Sequence, residues 1–187
     1  KKMFAHFDFD GEISEKLVHQ LNSFLPPSIA VKKVFEVKED FHARFSAKYR
    51  TYEYYISLEK NPFSEKFAWQ HWRKTLDVGK MNEACKILFE YEDFGSFAKV
   101  GADNKTNICK IYHANWEQNG NELKFTISAD RFLRNMVRAI VGTMVEIGSG
   151  KLKPADLRNV IEAKNRGVAG TSAPAHALFL VDVGYDF

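Results

Sequence analysis

At 187 residues with 45% apolar and 14% aromatic side chains, the chain can fill a packed core, which excludes a disordered polypeptide. Twenty-seven Lys and Arg against 24 Asp and Glu leave a net charge of +3, an excess too small to establish nucleic-acid binding without an argument from charge placement. Cys85 and Cys109 have neither a C-x-x-C partner nor a His at ligand spacing, so zinc and disulfide frameworks are not suggested and a reducing cytosol is expected.

Lys1-Lys2 is followed by His6 and Asp8 rather than a signal-peptide core, and no apolar run reaches the ~18 residues of a membrane span. Residue 1 is Lys, not Met, so the natural start is expected upstream. Ala5, Phe7 and Phe9 alternate within residues 3–9, the period of a half-buried strand. Ile13, Leu17, Val18, Leu21 and Leu25 follow at helical spacing until Pro26-Pro27 stops the run. Residues 29–37 read as another strand, and residues 49–58 as a long one that puts Arg50, Tyr52, Tyr54 and Ile56 on one face. Asp77 can cap a helix with Met81, Ala84, Cys85 and Leu88 inward. Residues 108–116 and 123–129 form a predicted hairpin around Asn119-Gly120. Residues 132–147 are the most apolar helix. Pro154 opens a last helix with Leu157, Val160 and Ile161 inward, and residues 178–183 are a final buried strand. Without repeats or low-complexity linkers, these elements give an α+β class with a largely antiparallel sheet flanked by helices.

Two constellations can carry chemistry. Residues 41–54 interleave cations (Arg44, Lys48, Arg50) with rings (Phe41, Phe45, Tyr49, Tyr52, Tyr54). Cations neutralise phosphates while rings stack on unpaired bases, at ~1–3 kcal/mol per base. An ordinary amphipathic strand with tyrosines at its edges reads the same way. The second constellation is Arg131, Arg134 and Arg138, which on a continuous helix fall within roughly 60° of one another. No carboxylate three or four residues away neutralises Arg134 or Arg138, so the stripe faces an anion, either phosphate or a carboxylate from elsewhere in the chain, or lies on a solvent face. Motifs for nucleotide, metal or acyl-transfer chemistry are missing from the sequence.

Asp40-Phe41-His42-Ala43-Arg44-Phe45-Ser46-Ala47, Arg50-Thr51-Tyr52, Asp93-Phe94-Gly95-Ser96-Phe97, Phe132-Leu133-Arg134-Asn135-Met136-Val137-Arg138 with Val141-Gly142, and Ala173-Pro174-Ala175-His176 stand in one order along the chain. Together they resemble the tRNA pseudouridine synthase A family over nearly the whole chain. The resemblance implies the pseudouridine synthase fold, with residues 1–46 the remainder of an N-terminal half and residues 47–187 a C-terminal α+β half. It implies isomerisation of uridine to pseudouridine in the tRNA anticodon stem-loop, by a cytoplasmic homodimer that needs no cofactor. The family's nucleophile is an Asp within an Arg-Thr-Asp step, which this sequence does not contain, so the 187-residue chain is expected to be inactive alone.

By the same resemblance Tyr52 stacks on the target base and can serve in proton removal, and Arg138 pairs with the catalytic Asp. Arg44, Arg50, Arg131 and Arg134 become RNA contacts. Cys109 stands where the family commonly has Arg, and Ala177 where it commonly has Gly. The competing reading is a non-catalytic RNA-binding α+β module, in which the same Tyr and Arg residues only hold RNA.

Overall fold

The tyrosine-rich run forms the centre of a sheet in the computed structural model, which describes residues 2–72 and 75–187. These residues divide into two compact units, Ala47–Tyr185 with Lys1–Met3, and Phe4–Ser46 with Asp186–Phe187.

In the larger unit, β1 (Tyr49–Ser57) pairs antiparallel along one edge with β4 (Glu122–Ala129), which pairs in turn with β3 (Ile111–Asn119). Along its other edge β1 meets β5 (Leu178–Gly184), antiparallel, and then the short β2 (Trp69–Gln70), parallel at Ile56 and Ser57. The antiparallel sheet flanked by helices that the sequence implies is therefore present. The β3–β4 loop is Gly120-Asn121, one residue beyond the predicted dipeptide, and Gly120 carries the positive φ of 57° that such a turn requires.

Two irregularities bend one end of this sheet. Thr51 pairs with Asp182 but Tyr52 with Leu180, leaving Val181 as an extra residue whose carbonyl accepts the Lys2 N–H at 3.0 Å. On β3, Tyr112 is likewise extra between Ile111 and His113, opposite Ala129 and Ser128. A bulge increases local twist and re-aims the neighbouring side chains, and both lie at the level of Arg50 to Tyr52.

The core fills the space between one sheet face and the helices α2 (Val78–Leu88), α3 (Met136–Gly148) and α4 (Asp156–Glu162). Alternation on β4 sends Leu123, Phe125, Ile127 and Ala129 inward, where Phe125 stacks on Trp116 of β3 at 4.8 Å. The predicted stripe Met81, Ala84, Cys85 and Leu88 is buried, and Asp77 caps α2 by accepting the Lys80 N–H at 3.0 Å. Asn82 of α2 closes the free edge of β3, donating from Nδ2 to the Trp116 carbonyl (2.9 Å) and accepting the Trp116 N–H (2.8 Å). An unprotected edge would invite pairing with another strand. Leu157, Val160 and Ile161 face inward as predicted, from a helix that begins two residues after Pro154.

In the smaller unit, α1 (Glu15–Phe24) follows the predicted helical spacing and ends before Pro26, but none of its residues is buried. Asn22 binds Val31 in both directions, through Nδ2 to its carbonyl (2.9 Å) and from its N–H to Oδ1 (2.7 Å). The Phe187 ring meets those of Phe4, Phe35 and Phe41 at 5.9, 4.9 and 5.7 Å.

Four predicted elements differ. Residues 3–9 and 29–37 run without strand pairing. In the second segment the half-buried positions Val31, Val34 and Val37 recur every third residue, which a pleated strand cannot present. The apolar helix begins at Met136 instead of residue 132, because Asn135 turns left-handed at φ 71°. On β5 only Val183 is fully buried.

Candidate active site

The residues 130–132 dock on the bulged end of β1. Nη1 of Arg50 donates to the carbonyls of Ala47 (3.0 Å) and Asp130 (2.7 Å), and the Tyr52 and Phe132 rings meet edge to face at 5.2 Å. Such an aromatic pair adds about 0.5–1.5 kcal/mol beyond the area it buries. Asp130 Oδ1 accepts the backbone N–H groups of Lys110 (2.8 Å) and Arg131 (2.6 Å), which ties the end of β4 to the segment before α3.

The Tyr52 ring is half-buried, and its hydroxyl has no hydrogen-bond partner among the described residues. Burial raises its pKa, an effect that the nearby Arg50 charge opposes. Two residues on, the fully buried Tyr54 donates its hydroxyl to the Pro174 carbonyl at 2.8 Å. Burial pushes this phenol well above its usual range, against the pull of the Arg138 charge. Tyr52 and Tyr54 share a strand face, so Arg138 acts on the same side of β1 that presents Tyr52.

Arg138 lies in the first turn of α3, where its Nε donates to the Ala173 carbonyl (2.6 Å) and its own carbonyl accepts the Ala173 N–H (3.0 Å). It has no ion pair, and its terminal nitrogens no partner, among the described residues. The loop carrying Ala173 comes this close because Gly142 has no side chain: a Cβ there would sit 1.8 Å from the Thr171 carbonyl oxygen. Thr143 fixes the same approach, donating to Ala139 O and accepting the Gly170 N–H, both at 2.9 Å. Asn135, which starts α3, donates to Ser172 Oγ at 2.6 Å.

The predicted single basic stripe is not formed. Arg131 and Arg134 precede the helix, since the left-handed Asn135 separates them from Arg138. Arg131 is half-buried near the Cys109 thiol, which burial pushes up to about 11 against the pull of that cation. Arg134 is exposed. Arg44 belongs to the smaller unit, where its guanidinium lies 5.5 Å from the Phe45 ring centre and its N–H donates to His42 Nδ1 at 3.0 Å. Within the Asp93 to Phe97 segment Phe94 and Phe97 are buried, and Ser96 Oγ donates to Ile161 O while accepting the Asn165 N–H.

Sequence reasoning missed Ala173 as the anchor of Arg138 and Tyr54 as the residue that ties down the neighbouring Pro174. Their only sequence signals are the strand alternation that buries Tyr54 and the place of Ala173 in the Ala-Pro-Ala-His run. No group of three or more His, Cys, Asp or Glu side chains among the described residues is arranged to hold a metal, and no described helix is long and apolar enough to cross a membrane.

The largely antiparallel sheet flanked by helices is the fold that the resemblance to pseudouridine synthases implied, and this fold carries the half-buried Tyr52 and the anchored Arg138. A family profile described as tRNA pseudouridine synthase matches residues 84–186. Proteins named tRNA pseudouridine synthase A from Parabacteroides distasonis and Bacteroides fragilis are 54% and 55% identical to the chain, each over 98% of it and 73% of their own length. One of that name from Bacillus licheniformis is 40% identical over 97% of the chain and 74% of its own length. The chain belongs to the tRNA pseudouridine synthase family, a family of isomerases.

Proposed function

We propose that the chain holds the target base and orients the catalytic carboxylate in the conversion of uridine to pseudouridine in the tRNA anticodon stem-loop. Arg138 carries this reading. Its guanidinium is fixed at Nε by Ala173 and free of any carboxylate among the described residues. A pre-positioned fork of this kind suits a carboxylate supplied from elsewhere, because charge-assisted pairs gain most when the donor is already oriented. Tyr52 supplies a ring for stacking and an unengaged hydroxyl for proton transfer.

In this reading the nucleophilic Asp lies outside the 187 residues, whose sequence holds no Arg-Thr-Asp. Residues 1–46 are then the remainder of an N-terminal half, and residues 47–187 a C-terminal half. Arg44, Arg131 and Arg134 contact RNA phosphates, while Arg50, already engaged with two carbonyls, adds charge beside Tyr52. The working enzyme is a cytoplasmic homodimer with tRNA spanning both subunits, and it uses no cofactor.

Tritium release from tRNA labelled at uridine C5 tests the proposal. The full-length protein is expected to release label from anticodon stem-loop uridines, and the 187-residue chain none. Turnover by that chain, or modification confined to uridines elsewhere in tRNA, would overturn it.

A further inference from the structure

A cavity of about 480 Å³ is lined by none of the six residues that the sequence singled out. Gly95, at the start of the turn Gly95–Phe97, lines it. One wall, residues 98–107, supplies Lys99, Asn104 and Asn107, and the other, residues 164–166, supplies Lys164 and Arg166.

Both walls are tied down. The first is closed at its base by the Phe94 N–H on Asn107 O (3.1 Å) and the Cys109 N–H on Glu92 O (2.8 Å). The second is held by the Asn165 N–H on Ser96 Oγ at 3.0 Å. A Cβ on Gly95 would lie 3.0 Å from Asn107 Nδ2 and 3.2 Å from Asp93 Oδ1, so the two segments pack closely at this glycine.

The charges lining the cavity do not cancel. Lys164 is paired with Asp93 at 2.8 Å. Arg166 donates to Ala169 O (3.3 Å) and Ser172 Oγ (2.7 Å), which fixes its fork without neutralising it. Neither Arg166 nor Lys99 has an ion pair among the described residues. Cations and side-chain amides around a space within the ~300–1,000 Å³ of ordinary ligand sites favour an anion rich in acceptor oxygens. The lining includes no aromatic ring on which a base could stack, so the cavity is suited to a phosphate group without contact to its base.

The cavity also shares its frame with the candidate active site. Ser172 Oγ receives both Arg166 and Asn135, the residue that starts α3. Ala173, next in sequence, anchors Arg138, and the Lys99 N–H donates to Arg134 O at 2.9 Å. We propose that this cavity is a phosphate subsite that grips the backbone of the same tRNA strand whose uridine is handled at Tyr52 and Arg138. The proposal rests on the reading of the chain as a tRNA-binding protein.

Lys99 is the residue to test, because its side chain supports no other group among the described residues and its replacement should leave the fold intact, which thermal melts check. Titration of the 15N-labelled chain with inorganic phosphate is expected to give saturable shifts at the Gly95, Asn107 and Asn165 amides, weakened in Lys99→Ala and lost in Lys99→Glu. With tRNA, Lys99→Ala should lower the slope of log affinity against log salt by about one unit, with a larger loss of affinity for Lys99→Glu. If the wild-type chain binds tRNA with steep salt dependence and Lys99→Glu matches it, the subsite is wrong while the tRNA reading stands. If phosphate shifts these amides but the wild-type chain has no salt-dependent tRNA affinity, the cavity takes free phosphate only, and both the subsite and the reading behind it fall.

Discussion

Arg138 and Ala173 hold each other through two hydrogen bonds, Nε to carbonyl at 2.6 Å and N–H to carbonyl at 3.0 Å. The guanidinium is thus placed by a loop that must lie directly on α3, and Gly142 is what lets it. Gly142→Ala puts a methyl group 1.8 Å from the Thr171 carbonyl oxygen, so the loop must move off the helix. Overpacking of this kind costs about 1–3 kcal/mol or more. Urea titration should show that loss. In the full-length enzyme kcat should fall further than stability alone explains, as Arg138 loses its anchor. A variant with wild-type stability would show that the close approach is not needed.

Tyr52 offers a different separation, because its ring and its hydroxyl have different neighbours. The ring packs edge to face on Phe132 at 5.2 Å, and Tyr52→Phe keeps that contact. The hydroxyl has no internal partner among the described residues, so its removal costs the fold little. In the full-length protein Tyr52→Phe should therefore leave thermal stability and tRNA affinity close to wild type while lowering turnover at least tenfold, as expected when a proton-transfer group is lost. Equal losses in affinity and turnover would make Tyr52 a binding residue only.

Two buried thiols predict the behaviour in base. Burial pushes Cys85 up to about 12 and Cys109 up to about 11, from 9.0 for an exposed thiol. A folded-state pKa above the unfolded one means that the stabilisation is fully present below pH 9.0 and is lost as pH rises toward 11 and 12. Tyr55 acts in the same direction, raised to about 12 by burial and by its hydrogen bond to Glu53. Denaturant titrations should therefore give a lower unfolding free energy at about pH 10.5 than at about pH 8. Both thiols should resist an aromatic disulfide reagent until the chain unfolds. A flat stability profile, or rapid labelling of the native protein, would contradict this.

How far the sequence disclosed these features depends on whether the signal was local. Alternation fixed β1 and β4, and the spacing of Met81, Ala84, Cys85 and Leu88 fixed α2, because in each the buried face repeats within a few residues. Residues 3–9 carry the same alternation yet form no strand, since a strand also needs a neighbour for its backbone, which the pattern does not encode. The arginine stripe failed because a single residue, Asn135, adopts a left-handed conformation that helical periodicity cannot foresee. At the site, the lack of a local acid near Arg138 was legible. Its anchoring by Ala173 was not, because that contact spans 35 positions and depends on the missing side chain of Gly142.

The last prediction separates two roles for Arg138. If it contacts phosphate, Arg138→Ala in the full-length protein lowers the slope of log tRNA affinity against log salt by about one unit. If it orients the catalytic carboxylate, that slope stays nearly unchanged while kcat falls by orders of magnitude, because the carboxylate loses both its position and the cation that favours its ionised form. The structure favours the second outcome. Arg138 is half-buried, its Nε is committed to Ala173, and its charge reaches the buried Tyr54 phenol, whereas a phosphate contact would be expected on an exposed side chain such as Arg134. Arg138→Lys sharpens the test. It keeps a positive charge but has no Nε donor for Ala173 and no planar fork for a carboxylate. A phosphate-binding role would tolerate that change. An orienting role would not, so Arg138→Lys should bind tRNA as the wild type does, with the same salt slope, yet turn over nearly as poorly as Arg138→Ala. Recovery of most of the activity in Arg138→Lys would return Arg138 to the phosphate contacts.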